Sequence, residues 1–140
     1  MIVLDTNVIS EPLRSRPDAA VVAWLNRQSY TARFATSVTV MEVRFGVERL
    51  PEGKRKADLW EVLGFTLSRL VGPRILLFDV PAATEAARIA AVAEAAGTPI
   101  GQADAQIAAI GRSHGFAIAT RDTAPFQSAG LVVINPWEFA

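Results

Sequence analysis

The strongest constraint on the fold is a set of short, uninterrupted apolar runs separated by stretches of helical period. Ile2-Val3-Leu4, Phe34-Ala35-Thr36, Ile75 to Phe78, Phe116 to Ala119 and Val132 to Ile134 are all too short for helices and almost wholly apolar. A strand with one wet face alternates apolar and polar residues, so a strand that is apolar throughout must be covered on both faces. Helices are predicted between these runs. Pro17 to Gln28 carries an apolar stripe of Val21, Val22, Trp24 and Leu25. Thr39-Val40-Met41-Glu42 matches a capping box that opens a helix running to about Leu50. Further helices are expected from about Arg55 to Leu70, from Pro81 to Ala96 and from Gln102 to His114, with Gly72-Pro73, Gly97 and Gly115 as stops. Strands alternating with helices predict an α/β fold: a three-layer α/β/α sandwich on a mainly parallel sheet of about five strands.

A chain of 140 residues fits a single domain spanning 1–140. With no cysteine, disulfides, zinc-thiolate sites and thiol nucleophiles are excluded. The N-terminus lacks the basic region of a signal peptide, and Ala82 to Ala96 is interrupted by Glu85, Arg88 and Glu94, so no bilayer span is expected and the protein is read as cytoplasmic. Fourteen cations balance 14 acids, which argues against binding DNA by bulk charge alone. Acids gathered at a metal site would leave the cations, mostly arginines, free to meet phosphate elsewhere.

In open parallel sheets, ligands collect outside the carboxyl ends of the strands. Asp5 follows the first strand directly and Asp122 lies three residues past the fourth. Either acid alone also suits a helix N-cap or a turn. Asp104 is more informative, because on its helix it shares a face with Ile107, Ala108 and Gly111, which aims the carboxylate inward. An inward carboxylate is costly unless paired or bound to a metal. Glu42 lies off the stripe of Val40, Val43, Val47 and Leu50, and its place in the capping box gives it a sufficient structural role. Asp79, before Val80-Pro81, reads as a helix cap. His114, the only histidine, sits where it would meet the carbonyl end of a helix. Clustered carboxylates suit Mg²⁺ or Mn²⁺, which prefer oxygen ligands, activate water and offset charge on a phosphate under attack.

The segments LDTNVISEPL, SVTVMEVRFGVERL, PIGQADAQIAAIGRSHG and AIATRDTAPF followed by NPWEF, in this order, resemble the PIN-domain ribonuclease toxins of the VapC family, within its FitB-like branch. The resemblance covers nearly the whole chain. It implies a homodimeric toxin of a type II toxin–antitoxin system that hydrolyses RNA with Mg²⁺ or Mn²⁺. It also implies a cognate antitoxin that blocks the site and carries the pair to operator DNA. Asp5, Glu42, Asp104 and Asp122 fall on the four catalytic and metal-binding acids of that pattern, with Asp122 implied to act through water. Thr6, Asn7 and Thr120 fall on supporting positions. For Glu42 the resemblance implies a ligand where spacing implied a cap.

Arg121, beside Asp122, is a candidate phosphate contact, and Lys54-Arg55-Lys56 is either a solvated helix start or a second one. Trp24, Trp60, Leu63, Phe65 and Leu67 are expected mostly in the core, some of them lining a groove for an antitoxin segment. Two other functions fit these residues less well. A phosphatase with Asp5 as nucleophile would want a second acid at position 7, which is Asn, and a distant lysine. A catalytically silent module, acting as co-repressor with its antitoxin, would gain nothing from mutually repelling carboxylates.

Overall fold

The computed structural model describes all residues, 1–140. Five strands, β1 (Ile2–Leu4), β2 (Arg33–Thr36), β3 (Ile75–Leu76), β4 (Ala117–Ala119) and β5 (Val133–Ile134), form one sheet in the order β3-β2-β1-β4-β5. Every pairing is parallel, with Val3 opposite Phe34 on one side and Ile118 on the other. Successive strand residues face opposite sides. Accordingly Val3 and Ile118 join the core on one face, while Leu4 and Ala119 join the core on the other. The expected three-layer fold is the one observed.

One face is covered by α2 (Ala19–Arg27) and α4 (Lys54–Leu70), with Trp24, Leu25 and Leu63 buried against Leu4 and Ala35. The other is covered by α5 (Val80–Ala95) and α6 (Gln102–His114), which bring Ile89, Ile107 and Ile110 to Ile118. Helix α3 (Ser37–Glu48) contributes to both cores, through Val38 on one side and Val43 and Val47 on the other. Asp79 caps α5 as expected, accepting from the Ala82 amide.

Several elements depart from expectation. Helix α3 begins earlier: Thr36, at the end of β2, is the N-cap and accepts from the Thr39 amide, so Thr39 and Glu42 do not form the opening capping box. Thr36 and Thr39 are both N-cap residue types, and the extended backbone at Thr36 decides which hydroxyl caps. Two short helices, α1 (Thr6–Ser10) and α7 (Thr123–Ser128), occupy segments with too few residues to show a helical period. Trp24 and Leu63 are buried, but Trp60 and Phe65 are 41% and 64% exposed, so the expected core role fails for those two.

Gly72, just past α4, adopts φ +55, and a Cβ there would collide with the Tyr30 hydroxyl, which donates to the Ser68 carbonyl. Gly72→Ala is expected to lower stability by about 1–2 kcal/mol, from left-handed strain and loss of that contact. Urea unfolding with an unchanged m-value is the check.

Candidate active site

The chain turns to one side of β1 to make β2 and β3, then crosses to the other side to make β4 and β5. The reversal lies between β1 and β4, and the carboxyl ends of these two strands are where a ligand is expected. Asp5 follows β1 there. It is 5% exposed and caps α1, with one carboxylate oxygen accepting from the Thr6 amide at 2.8 Å. The other accepts from the Thr120 hydroxyl, also at 2.8 Å. Thr120, immediately after β4, is fully buried. Its oxygen also accepts from Asn7 Nδ2 at 3.3 Å and from the Asp122 amide at 3.1 Å. Asn7 Oδ1 in turn takes the Arg121 amide at 3.4 Å. One buried hydroxyl thus ties the β1 end to the β4 end and fixes the turn that carries Asp122.

Asp122 occupies the N-cap position of α7, yet its side chain makes no capping bond. The structural explanation that suited this residue in the sequence does not apply, and its carboxylate is exposed beside the cleft described below. Asp104 lies in the first turn of α6, half-buried, one turn before the buried Ile107 and Ala108. Glu42, on α3, takes a 2.6 Å hydrogen bond from the Thr6 hydroxyl rather than capping its own helix. Arg121 is exposed with its guanidinium over the Trp137 ring, 5.2 Å from the centroid.

The four acids sense one another. Burial pushes the Asp5 carboxyl up to about 6, against the Thr120 and Thr6 hydrogen bonds that lower it, and the charges of Asp104 and Glu42 add to the rise. Asp104 is raised by burial first, then by the charges of Asp122 and Glu42. As their side chains stand, no three of these acids converge on a point at ligand distance. The donor set is nevertheless all oxygen, negatively charged and partly desolvated, with no cation paired to any of the four. That combination fits a hard divalent cation and little else. Glu11 supplies the contrast. It is 4% exposed, but its oxygens are committed to the Asp18 amide and to Arg14, so it is a structural acid.

A cleft of about 1070 Å³ between α5, α6 and α7 reaches Asp104 and Asp122. Ile89, Val92 and Pro125 line its walls, while Arg88 and Arg112 border it, both paired to Glu85. Trp137 beneath Arg121 and the hydroxyls of Thr36 and Thr39 near Glu42 leave no signal in the local residue pattern.

Fold and site together define a PIN domain, and the PIN-domain family model matches residues 2–130. The chain belongs to the PIN-domain family, and within it to the group that holds the VapC and FitB proteins. It is 48% identical to VapC ribonuclease Y4jK of Sinorhizobium fredii over 99% of both chains. It is 45% identical to toxin FitB of Neisseria gonorrhoeae, over 98% of this chain and 99% of that protein. The solved structure of FitAB bound to an IR36 DNA fragment superimposes with a TM-score of 0.92 at 44% identity, covering 100% of this chain and 98% of that one.

Proposed function

We propose that this chain is the toxin of a toxin–antitoxin pair and acts as a divalent-metal-dependent endoribonuclease. The observation that carries the proposal is that Thr6 links Asp5 and Glu42, through its amide and its hydroxyl, at the sheet's reversal point, while Asp104 and Asp122 border one cleft. Asp5, Asp104 and Glu42 would hold Mg²⁺ or Mn²⁺, with Asp122 one water away. The bound ion would lower the pKa of a water and offset charge on the scissile phosphate.

The chain's own residues do the rest. Thr120 and the Thr6 amide hold both oxygens of Asp5, which keeps the carboxylate from rotating away. The Thr6 hydroxyl does the same for Glu42. The cleft offers the RNA backbone a way in to Asp104 and Asp122, with Arg121 beside them to meet a phosphate. Hydrolysis adds water across one P–O bond, and the proton lost by the water ends on the departing oxygen.

Purified protein should cut RNA with Mn²⁺ and not with excess chelator, and Asp104→Asn should lower the rate by more than about 100-fold, since even outer partners of a metal cost 10- to 100-fold. Equal cleavage by wild type and variant would overturn the assignment of Asp104. Cleavage by neither, over a broad RNA panel, would overturn the nuclease reading and leave a binding-only module.

Two exposed apolar patches suit the implied partners. Met41 and Phe45 on α3 and Trp60 and Phe65 on α4 are exposed on two helices in contact, with Arg44 4.1 Å above the Trp60 ring. This patch would take an amphipathic antitoxin segment. Leu77 and Val80, exposed between β3 and the start of α5, are the other, which would take a second copy of the chain. Operator DNA would be reached through the antitoxin, because the chain has no net charge of its own. Phe65→Glu is expected to weaken the antitoxin complex by about 30-fold or more, the usual cost of losing an aromatic anchor. Calorimetric titration with the antitoxin encoded beside the gene would show it.

A further inference from the structure

Glu42 is joined to three threonines by a chain of hydroxyls, of which its own helix uses only Thr36, as its cap. Thr6 Oγ1 lies 2.6 Å from Glu42 Oε1 and 3.2 Å from Thr39 Oγ1, and Thr39 Oγ1 lies 3.3 Å from Thr36 Oγ1. Thr36 and Thr39 are both 0% exposed, so water competes for neither. Each hydroxyl has one proton to give and two lone pairs to accept with. The carboxylate, nearer and charged, claims the proton of Thr6. The Thr39 oxygen accepts from Thr36 and is the second acceptor facing the Thr6 hydroxyl, so Thr6 stands between Glu42 and Thr39. The chain starts at the Thr39 amide, which donates to Thr36 at 3.0 Å.

The Thr6 hydroxyl is therefore held from both sides, by Glu42 and by a Thr39 oxygen that Thr36 fixes in turn. Capping of α3 is done by the oxygen of Thr36, and the Thr39 hydroxyl touches no backbone group. Its only hydrogen-bonding use is in this chain.

We propose that Thr39 is a positioning residue for Glu42: it orients the Thr6 hydroxyl and so keeps the Glu42 carboxylate turned toward Asp5 and Asp104. The proposal rests on the reading of these acids as a divalent-cation site. It concerns a fully buried residue that reaches the acids only through Thr6.

The test measures Mn²⁺ affinity of the full chain by paramagnetic resonance of free Mn²⁺, with metal-free thermal unfolding to confirm folding. Thr39→Val removes the hydroxyl at nearly constant shape and is expected to weaken Mn²⁺ binding about 10-fold, the low end for an outer partner of a metal ligand. Thr39→Ser, which restores the hydroxyl, should return the affinity toward that of wild type. In a Glu42→Gln background, Thr39→Val should cost little more, because the residue acts only through Glu42. If Thr39→Val does not fold, Thr39→Ala carries the same expectations. Unchanged affinity in Thr39→Val, or the same loss with and without Glu42, would overturn the positioning role while leaving the cation site intact. Absence of Mn²⁺ binding by the wild type would overturn the cation site itself, and the positioning role with it.

Discussion

Asp5→Asn is expected to abolish RNA cleavage and, in the absence of divalent ions, to make the folded protein more stable at pH 7. The activity loss should exceed about 100-fold, because Asp5 is the most buried of the four acids and the one held at both oxygens. The stability gain follows from linkage. Asp5 has its carboxyl raised from the ordinary 3.8 to about 6 by burial in the fold. Between these values the folded state keeps a proton that the unfolded state has lost, so the contribution of Asp5 to stability is greatest below about pH 4 and is lost as pH rises through about 6. At about 1.4 kcal/mol per tenfold step, the wild type would give up as much as about 3 kcal/mol by pH 7. An uncharged amide avoids that loss and keeps the bond from the Thr6 amide, although its N–H groups must re-pair beside Thr120. A net gain of about 1–2 kcal/mol at pH 7, vanishing near pH 4, is the expected outcome of denaturant unfolding. Added Mn²⁺ should stabilise the wild type and leave Asp5→Asn unchanged. A variant less stable than wild type at pH 7 would mean that the Asp5 hydrogen bonds outweigh its desolvation.

The largest loss of stability is expected from Phe126→Ala. Phe126 on α7 is fully buried, packed in the core that also holds Ile107, Ile110 and Ile118. Emptying such a site costs about 3–5 kcal/mol, from lost transfer energy and the cavity left behind. That is a large part of the 5–15 kcal/mol by which domains of this kind are stable. The effect should reach function as well, since α7 directly follows Asp122 and a loosened helix releases the turn that carries it. Calorimetric unfolding of the two proteins gives the difference. A cost below about 1 kcal/mol would show that the core closes around the missing ring.

The sheet was legible because its strands are apolar on both faces: Ile2-Val3-Leu4 cannot be half-wet, and in the structure its residues supply both cores. Asp104 was legible because one helical face holds it with Ile107 and Ala108. Glu42 was not, since its partner is the hydroxyl of Thr6, which chain folding brings from 36 residues away. Spacing within one helix carries no information about such a pair, and only the family resemblance singled Glu42 out. The start of α3 is ambiguous in the sequence for a related reason: Thr36 and Thr39 both suit a cap, and the choice is made by where β2 ends. The short helices α1 and α7 run five and six residues, less than two turns, which leaves no period to detect. Trp60 and Phe65 look like core by composition. Their exposure depends on which face of α4 the rest of the fold leaves uncovered.

The central claim is that the acids at the reversal point take up a divalent cation, and direct Mn²⁺ titration tests it. Wild-type protein at pH 7 should bind Mn²⁺ saturably, with both Asp5→Asn and Asp104→Asn weakening the binding by more than about 10-fold while remaining folded. Mn²⁺ binding that is the same in all three proteins, or absent from the wild type, would contradict the account.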